Sequence, residues 1–314
     1  MKLAFMGTPE FALPSLQALV DSPAHRVVCV LTQPDKPRGR SLDPRMPPVK
    51  ELALSKGLPV MQPEKLKGND EVRQALAGLD LDAVIVVAYG KMIPDDMLVL
   101  PRHGFINVHA SLLPRFRGAA PINRAILQGC PKTGVSIMQI DSGMDSGPVF
   151  LEAETPIPED EDAVSLSARL SVLGAEKLLE VLDLLEKGRI TARPQKAEEA
   201  TPAPMLTREE GEIDWHRDVK AIHDMVRGLL PWPCAYTYLD GKMLKILKSS
   251  YRRVGHDLAI GTLRRERGGI SIACSGGLLV PEVVQLEGKK AVDSRAFANG
   301  LRKGEIVLAK RENG

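Results

Sequence analysis

Two polar side chains stand two residues apart at the end of an apolar run in the stretch FINVHASLLPRFRGAAPI. They are Asn107 and His109, and alternate residues of a β-strand point to the same face of a sheet. An amide N–H and an imidazolium N–H both stabilise an oxygen that gains negative charge during acyl transfer. Either residue alone would fit a structural role: the histidine could be hydrogen-bonded within the core, and the asparagine could form a turn. Their pairing before a loop with Gly and Arg favours catalysis.

A carboxylate near the imidazole would complete such a site. Asp145 lies in IDSGMDSGPV, just after the next predicted strand, where Gly and Ser let the chain approach the strand end. A carboxylate close to His109 would favour the charged ring and relay a proton. Asp141 and Asp145 are equally compatible with a turn, and the pattern alone does not choose between these roles.

The elements around these residues alternate between short apolar runs and amphipathic segments. KLAFMGT precedes LPSLQALVDS, and DAVIVVAYG and GFINVHAS are each followed by a helical pattern. Short runs rich in Val and Ile are typical of parallel strands covered by helices on both faces. We predict a doubly wound, Rossmann-like α/β domain whose ligands bind at the carboxyl ends of its strands. The residues predicted to end strands at this edge are Thr8, Gln33, Tyr89, His109 and Asp141.

A long loop, QPDKPRGRSLDPRMPPVK, joins the second predicted strand to the next helix at the same edge. It is rich in proline and carries Lys36, Arg38, Arg40 and Arg45. Loops of this length inside compact domains are usually functional or disordered. The loop therefore either closes over an anionic macromolecule or serves only as a solubilising surface segment.

The chain changes character after a long amphipathic helix, which closes a first domain predicted over residues 1–189. Residues 190–207 are rich in Pro, Ala and charge with little periodicity, which predicts a linker. Residues 208–314 contain one helical pattern and then short strands, and LDGK between two alternating runs predicts a hairpin. This pattern favours a small antiparallel, OB-like β-barrel domain.

The charge balance differs between the two parts of the chain. The formal net charge is +2, with +5 from Arg208 onward and −3 before it. This imbalance indicates an anionic partner of the second domain, although an ordinary solvated surface would give the same count. OB-like barrels bind nucleic acid in basic grooves. The basic residues of the first predicted hairpin are Lys242, Lys245 and Lys248.

Several classes of protein are disfavoured. MGTPEF after the first strand lacks the G-x-G-x-x-G fingerprint, which argues against a nicotinamide dehydrogenase, and the sequence has no P-loop. The four cysteines form no CxxC pair, so we expect neither a metal site nor disulfides. With no apolar run of about 18 residues and no signal-peptide pattern, we expect a cytoplasmic protein that does not enter a membrane.

NVHASLLPRFRGAAPI together with TGVSIMQIDSGMDSG closely resembles the folate-dependent formyltransferases. MGTPEFA, LTQPDKPRGR, VVAYGKMIP and PWPCAY are similar to the members that formylate methionyl-tRNA. The resemblance extends from Phe5 to about Lys290. It implies 10-formyltetrahydrofolate as the formyl donor and the α-amino group of methionine on initiator tRNA as the acceptor, with no metal required. Separately, we expect a monomer.

The resemblance also implies roles for single residues. Asn107, His109 and Asp145 match the catalytic residues. The segment that contacts folate corresponds to Ser111, Leu112, Leu113 and Pro114. The tRNA-binding residues expected from the basic loop and the basic domain are Lys36, Arg38, Arg40, Lys242, Lys245 and Lys248. The family loop often has a Lys pair after the arginine that matches Arg40, whereas this chain has Ser41-Leu42-Asp43.

Three other functions are compatible with parts of this pattern. A nucleotide-sugar N-formyltransferase would share the catalytic segment and is the main alternative. A formyltetrahydrofolate hydrolase would share the three catalytic residues without needing a basic second domain. A non-enzymatic RNA-binding protein would use the barrel but would leave Asn107, His109 and Asp145 without a purpose.

Overall fold

The computed structural model describes residues 1–37 and 44–308, so the predicted tRNA-binding residues Arg38 and Arg40 lie outside the described residues. The strands are β1 (Lys2–Gly7), β2 (Arg26–Leu31), β3 (Lys36–Pro37), β4 (Pro44–Arg45), β5 (Val60–Met61), β6 (Ala83–Val87), β7 (Phe105–His109), β8 (Lys132–Gln139), β9 (Val149–Pro156), β10 (Ala235–Leu239), β11 (Lys242–Arg252), β12 (Thr262–Glu266), β13 (Gly269–Cys274), β14 (Gly277–Leu286), β15 (Val292–Asp293) and β16 (Glu305–Val307). The helices are α1 (Leu13–Asp21), α2 (Pro48–Ser55), α3 (Asp70–Ala77), α4 (Asp95–Leu98), α5 (Pro121–Leu127), α6 (Ala163–Glu186), α7 (Val219–Gly228) and α8 (Ser294–Asn299).

The first compact unit comprises Met1–Pro121, Thr133–Pro156 and Ser167–Ala203. Its sheet has the strand order β5-β2-β1-β6-β7-β8-β9, and the first five of these strands are parallel. Alternate side chains of β1 enter two different cores: Leu3 and Phe5 on one face, Ala4 and Met6 on the other. Helices α1, α2 and α6 contribute to the first core, and α3 and α4 to the second. This arrangement confirms the predicted doubly wound α/β domain.

Strand β8 departs from the predicted parallel direction, because it runs antiparallel to β7 with His109 opposite Ser136 and Ile106 opposite Gln139. The carboxyl end of β8 therefore lies beside the amino end of β7. The prediction that Asp141 shares the carboxyl edge with His109 is wrong for this reason. A direction of this kind is set by the pairing of strands and not by their apolar pattern.

The segment predicted as a linker, residues 190–207, also differs from the prediction. Its residues up to Ala203 belong to the first unit. Arg193 and Val149 exchange two backbone hydrogen bonds, each 2.8 Å long, and Arg117 N donates to Thr201 O at 2.9 Å. The low periodicity of this segment is explained by extended chain that pairs with loops and a strand edge.

The second unit comprises Ile122–Lys132, Ile157–Leu166 and the chain from Pro204 onward. Its curled antiparallel sheet has the order β10-β11-β14-β13-β12-β16, with β15 paired to β14. Asp240 and Gly241 connect β10 to β11 with φ values of 49° and 76°, so the predicted hairpin is confirmed as a tight turn with two left-handed residues. The half-barrel agrees with the predicted OB-like domain.

Helix α7 packs its apolar face on this sheet and also holds the segment 157–166. Arg227 and Asp224 form an ion pair of 2.7 Å, with their side chains only 6% and 4% exposed. Arg227 Nη1 also donates to Glu161 O at 2.8 Å, and a ring nitrogen of His223 lies 3.1 Å from Glu159 O. Among the helices that the structure describes, none is long and apolar enough to cross a membrane.

Candidate active site

The carboxyl end of β7 carries the first two predicted catalytic residues on one face of the sheet. His109 is buried, with 5% of its surface exposed, and Asn107 is half-buried. Within the described residues, the Asn107 amide makes no hydrogen bond. A half-buried amide whose donors are not used by the protein is available to a ligand oxygen.

Asp145 approaches His109 from the loop between β8 and β9. Its Oδ2 lies 3.7 Å from His109 Nδ1, and the same oxygen accepts a hydrogen bond of 2.9 Å from Gly118 N. The other ring nitrogen of His109, Nε2, lies 2.9 Å from Phe116 O. A carbonyl only accepts hydrogen bonds, so Nε2 carries the hydrogen in this contact. A second proton, on Nδ1, would face the carboxylate.

Two left-handed residues support this geometry. Phe116 has φ of 60° and Asp145 has φ of 50°, a conformation that costs a non-glycine residue about 1–2 kcal/mol. Thr201 Oγ1 accepts a hydrogen bond of 2.9 Å from Phe116 N. The carbonyl that contacts His109 is thus held by a residue from the segment predicted as a linker.

Gln195 also belongs to that segment and contacts the backbone of Asp145. Its amide donates to the carbonyls of Asp145 and Gly147 and accepts from the Arg117 side chain. Sequence reasoning missed Gln195 and Thr201, because a polar residue in a segment without periodicity carries no signal of its tertiary partner. The role of Arg117, which the sequence does not define, is here a contact with Gln195.

The predicted folate segment divides into buried and partly exposed residues. Ser111 and Leu113 are buried, whereas Leu112 and Pro114 are half-buried. The Ser111 hydroxyl donates to Arg115 O at 2.6 Å, so it closes the loop on itself. Ser136 Oγ donates to Ser111 O at 2.7 Å and accepts from Leu113 N at 3.0 Å, which anchors the loop to β8. These contacts engage Ser111 and the Leu113 backbone, whereas Leu112 and Pro114 keep part of their surface exposed.

The start of the predicted tRNA-binding loop is fixed to the same unit. Lys36 is exposed, and its Nζ donates to Gln33 Oε1 at 3.3 Å. Asp35 accepts from Gln62 and from Lys50, both at 2.7 Å. The hydrogen bond from Gln62, followed by that from Lys50, lowers the pKa of the Asp35 carboxyl. The negative charge of Asp35 is therefore paired with the Lys50 ammonium of the same unit.

The three predicted lysines of the second unit lie on β11, which bulges between Ile246 and Lys248. Leu244 and Ile246 are buried, and after the bulge Ser249 is buried, so Lys245 and Lys248 both point away from the core. Lys248 Nζ lies 3.0 Å from Glu282 Oε2 on the surface. Lys242 is exposed at the beginning of the strand.

A second basic surface in this unit was not among the predicted residues. A cleft of about 390 Å³ is lined by Arg265, Arg267 and Arg295, with Glu266 as the acidic member. Glu266 accepts from Arg252 Nη2 at 2.7 and 2.8 Å and from Ser271 Oγ at 2.6 Å. Because its carboxylate is engaged by these groups, the cleft presents positive charge.

Comparison with known families gives two matches that together span most of the chain. The model described as Formyl transferase matches residues 1–182, and the model described as Formyl transferase, C-terminal domain, matches residues 205–302. The methionyl-tRNA formyltransferase of Geotalea uraniireducens is 47% identical over 306 residues, which cover 96% of each chain. That of Caldanaerobacter subterraneus subsp. tengcongensis is 45% identical over 99% of this chain and all of its own.

Solved structures share the fold at low identity. An N-formyltransferase from Helicobacter canadensis, in complex with folinic acid and dTDP-3-aminofucose, has a TM-score of 0.68 and 16% identity over 90% of this chain and 98% of its own. HypX from Aquifex aeolicus, in complex with tetrahydrofolic acid, has a TM-score of 0.62 and 17% identity over 96% of this chain and 47% of its own. Identity at this level shows the fold alone. By the family models and the relatives that are similar over nearly their full length, this chain belongs to the methionyl-tRNA formyltransferase family.

Proposed function

We propose that this enzyme transfers the formyl group of 10-formyltetrahydrofolate to the α-amino group of methionine esterified to initiator tRNA. The observation that carries the proposal is the meeting of His109, Asp145 and an unengaged Asn107 amide at the end of β7. Family membership supports the same reaction. A cytoplasmic monomer is expected for a protein of this kind, and size-exclusion chromatography with light scattering tests the monomer.

The proposed chemistry uses the two donors and the carboxylate in different ways. The methionine amine attacks the formyl carbon, and negative charge develops on the formyl oxygen. The Asn107 amide donates to this oxygen. Because Nε2 of His109 donates to Phe116 O, the proton that His109 directs at the substrate is on Nδ1. The 3.7 Å separation from Asp145 is too long for a hydrogen bond, so this proton is available to the substrate oxygen.

A proton must then leave the attacking nitrogen. The Asp145 carboxylate is the nearest base to His109 and accepts the proton directly or through a water molecule. The bond between the formyl carbon and N10 of the folate breaks, and N10 receives the proton as tetrahydrofolate departs. One C–N bond forms and one breaks, so the reaction needs no oxidant, reductant or covalent enzyme intermediate.

We assign the folate contact to Leu112 and Pro114, whose side chains are half-buried. Ser111 and Leu113 act indirectly, since the first closes the loop and the second is buried beneath it. Replacement of Leu112 by Ala should raise the KM for the folate. The same replacement should leave the KM for tRNA close to that of the wild type, and the reverse result would contradict the assignment.

For tRNA we propose contacts from Lys36, Arg38 and Arg40 in the first domain and from the basic surface of the second. Two triple variants separate the candidate surfaces of the second domain: K242A/K245A/K248A and R265A/R267A/R295A. Each lost phosphate contact should lower the salt dependence of tRNA binding by about one in the slope of log K against log salt. The surface whose removal leaves this slope unchanged does not bind the RNA backbone.

The central test is an assay of the purified full-length protein with 10-formyltetrahydrofolate. Methionyl initiator tRNA is the acceptor, uncharged tRNA is the negative control, and a dTDP-amino sugar represents the alternative nucleotide-sugar activity. Formylation of the aminoacyl-tRNA alone is the expected result. Formylation of the sugar nucleotide without formylation of methionyl-tRNA would overturn the proposal.

A further inference from the structure

The side chain of Gln195 lies between the two loops that carry the candidate active site. Its Nε2 donates to the carbonyl of Asp145 at 2.8 Å and to that of Gly147 at 2.7 Å. Its Oε1 accepts from Arg117 Nε at 3.0 Å and from Arg117 Nη2 at 2.8 Å. One amide thus connects the loop after β8 with the loop after β7.

These contacts use the full hydrogen-bonding capacity of a glutamine amide, which has two N–H donors and one oxygen with two lone pairs. The planar guanidinium of Arg117 fixes the orientation of the amide oxygen, and the orientation of the nitrogen follows. A fully satisfied group of this kind holds its partners more rigidly than a single hydrogen bond does.

The loop that Gln195 holds is under conformational constraint. Asp145 has φ of 50°, and the turn caps itself through Asp141, which accepts from Gly143 N at 3.0 Å and Ser146 Oγ at 2.9 Å. Those bonds lie within the turn and do not fix its distance from His109. The hydrogen bonds of Gln195 fix this distance, because they connect the Asp145 backbone to Arg117. Arg117 is adjacent to Gly118, whose N–H donates to the Asp145 carboxylate.

We propose that Gln195 and Arg117 are positioning residues that set the Asp145 carboxylate against His109. Neither has to touch the substrate in this role. The inference rests on the proposed formyl transfer, since it gives the Asp145–His109 distance its catalytic meaning. It assigns a purpose to Gln195, in the segment without sequence periodicity, and to Arg117, in the loop after β7.

The test compares Gln195→Met, which keeps the length of the side chain but removes its hydrogen bonds, with Gln195→Glu, which retains acceptors for Arg117 and loses both donors. Lys196→Ala is the matched control, because Lys196 is the next residue, is exposed and pairs with Glu199 at 2.9 Å. For each variant we would measure kcat, the KM for methionyl-tRNA and for folate, and the thermal midpoint.

A misplacement of about 1 Å at a catalytic group costs roughly a hundredfold in rate. Gln195→Met and Gln195→Glu should therefore lose about ten- to a hundredfold in kcat, with both KM values within about twofold of the wild type. Lys196→Ala should match the wild type. Arg117→Lys, a milder change that removes the paired hydrogen bonds from Nε and Nη2, should lose less in kcat. Gln195→Met combined with Arg117→Met should have a kcat no lower than that of Gln195→Met alone.

Wild-type kcat in Gln195→Met, or a raised KM with kcat unchanged, would overturn the positioning role. If the Gln195 variants do not fold, Arg117→Lys decides on the same criteria. A wild-type enzyme without activity on methionyl-tRNA refutes the proposed function instead. In that case a crystal structure of Gln195→Met still tests the inference, because an unmoved Asp145 carboxylate would contradict it.

Discussion

Gly118 offers a direct test of how tightly the active-site loops must fit. Its φ is 122°, and a Cβ at this position would lie 2.8 Å from Ala203 O and 3.3 Å from Ala203 C. These are backbone atoms held in place, since Ala203 N donates to Arg117 O at 2.6 Å and Ala203 O accepts from Ala120 N at 3.1 Å. Gly118→Ala therefore cannot be accommodated by rotation of a side chain.

The cost has two parts. The left-handed backbone conformation costs an alanine about 1–3 kcal/mol. Displacement of Gly118 N from the Asp145 carboxylate removes a hydrogen bond to a charged group, worth about 1.5–3 kcal/mol. Together these parts predict a loss of stability of about 2.5–6 kcal/mol, which lowers the thermal midpoint by roughly 5 °C or more. Because the Asp145 carboxylate also moves, kcat should fall by about ten- to a hundredfold.

The matched control is Gly188→Ala. Gly188 also has a positive φ, 64°, but no atom lies within 4 Å of the Cβ that an alanine would add. Gly188→Ala should lower the stability only by the cost of a left-handed alanine backbone, about 1–2 kcal/mol, and should keep the wild-type kcat. Calorimetry and steady-state formylation kinetics measure both variants. A kcat for Gly118→Ala equal to that of Gly188→Ala would refute the idea that the Gly118–Asp145 contact orders the site.

Three other perturbations have defined outcomes. His109→Ala should lower kcat about a hundred- to a thousandfold while tRNA affinity, measured by filter binding, stays unchanged; near-normal kcat would contradict its role as a donor. Asp224→Ala should lower the free energy of unfolding by about 3–5 kcal/mol, measured by chemical denaturation, because it leaves the buried Arg227 without its ion-pair partner. Lys177→Ala, which breaks an exposed ion pair, should lower it by under about 1 kcal/mol. Burial raises the pKa of the Cys274 thiol to about 12 from 9.0. The folded thiol therefore stays protonated at pH values where the unfolded one ionises, and the Cys274 contribution to stability should fall as pH rises above about 9. Labelling by a thiol reagent at pH 8 that is as fast in the native as in the unfolded protein would contradict this.

The sequence by itself determined much of the local structure and the chemistry of the site. Periodicity of apolar residues predicted the α/β domain, and the two-residue spacing placed Asn107 and His109 on one face of β7. Asp240 and Gly241 predicted the hairpin because only residues that tolerate positive φ fit a two-residue turn. Each of these features depends on residues close together in the chain.

The tertiary structure decided which distant residues meet. The antiparallel direction of β8 separates Asp141 from the catalytic edge, and the loop that follows returns Asp145 to His109. Residues up to Ala203, predicted as a linker, pack on the first unit and supply Gln195 and Thr201. The physical reason is that extended chain gains its hydrogen bonds from partners far away in sequence, and no local pattern records which partners these are.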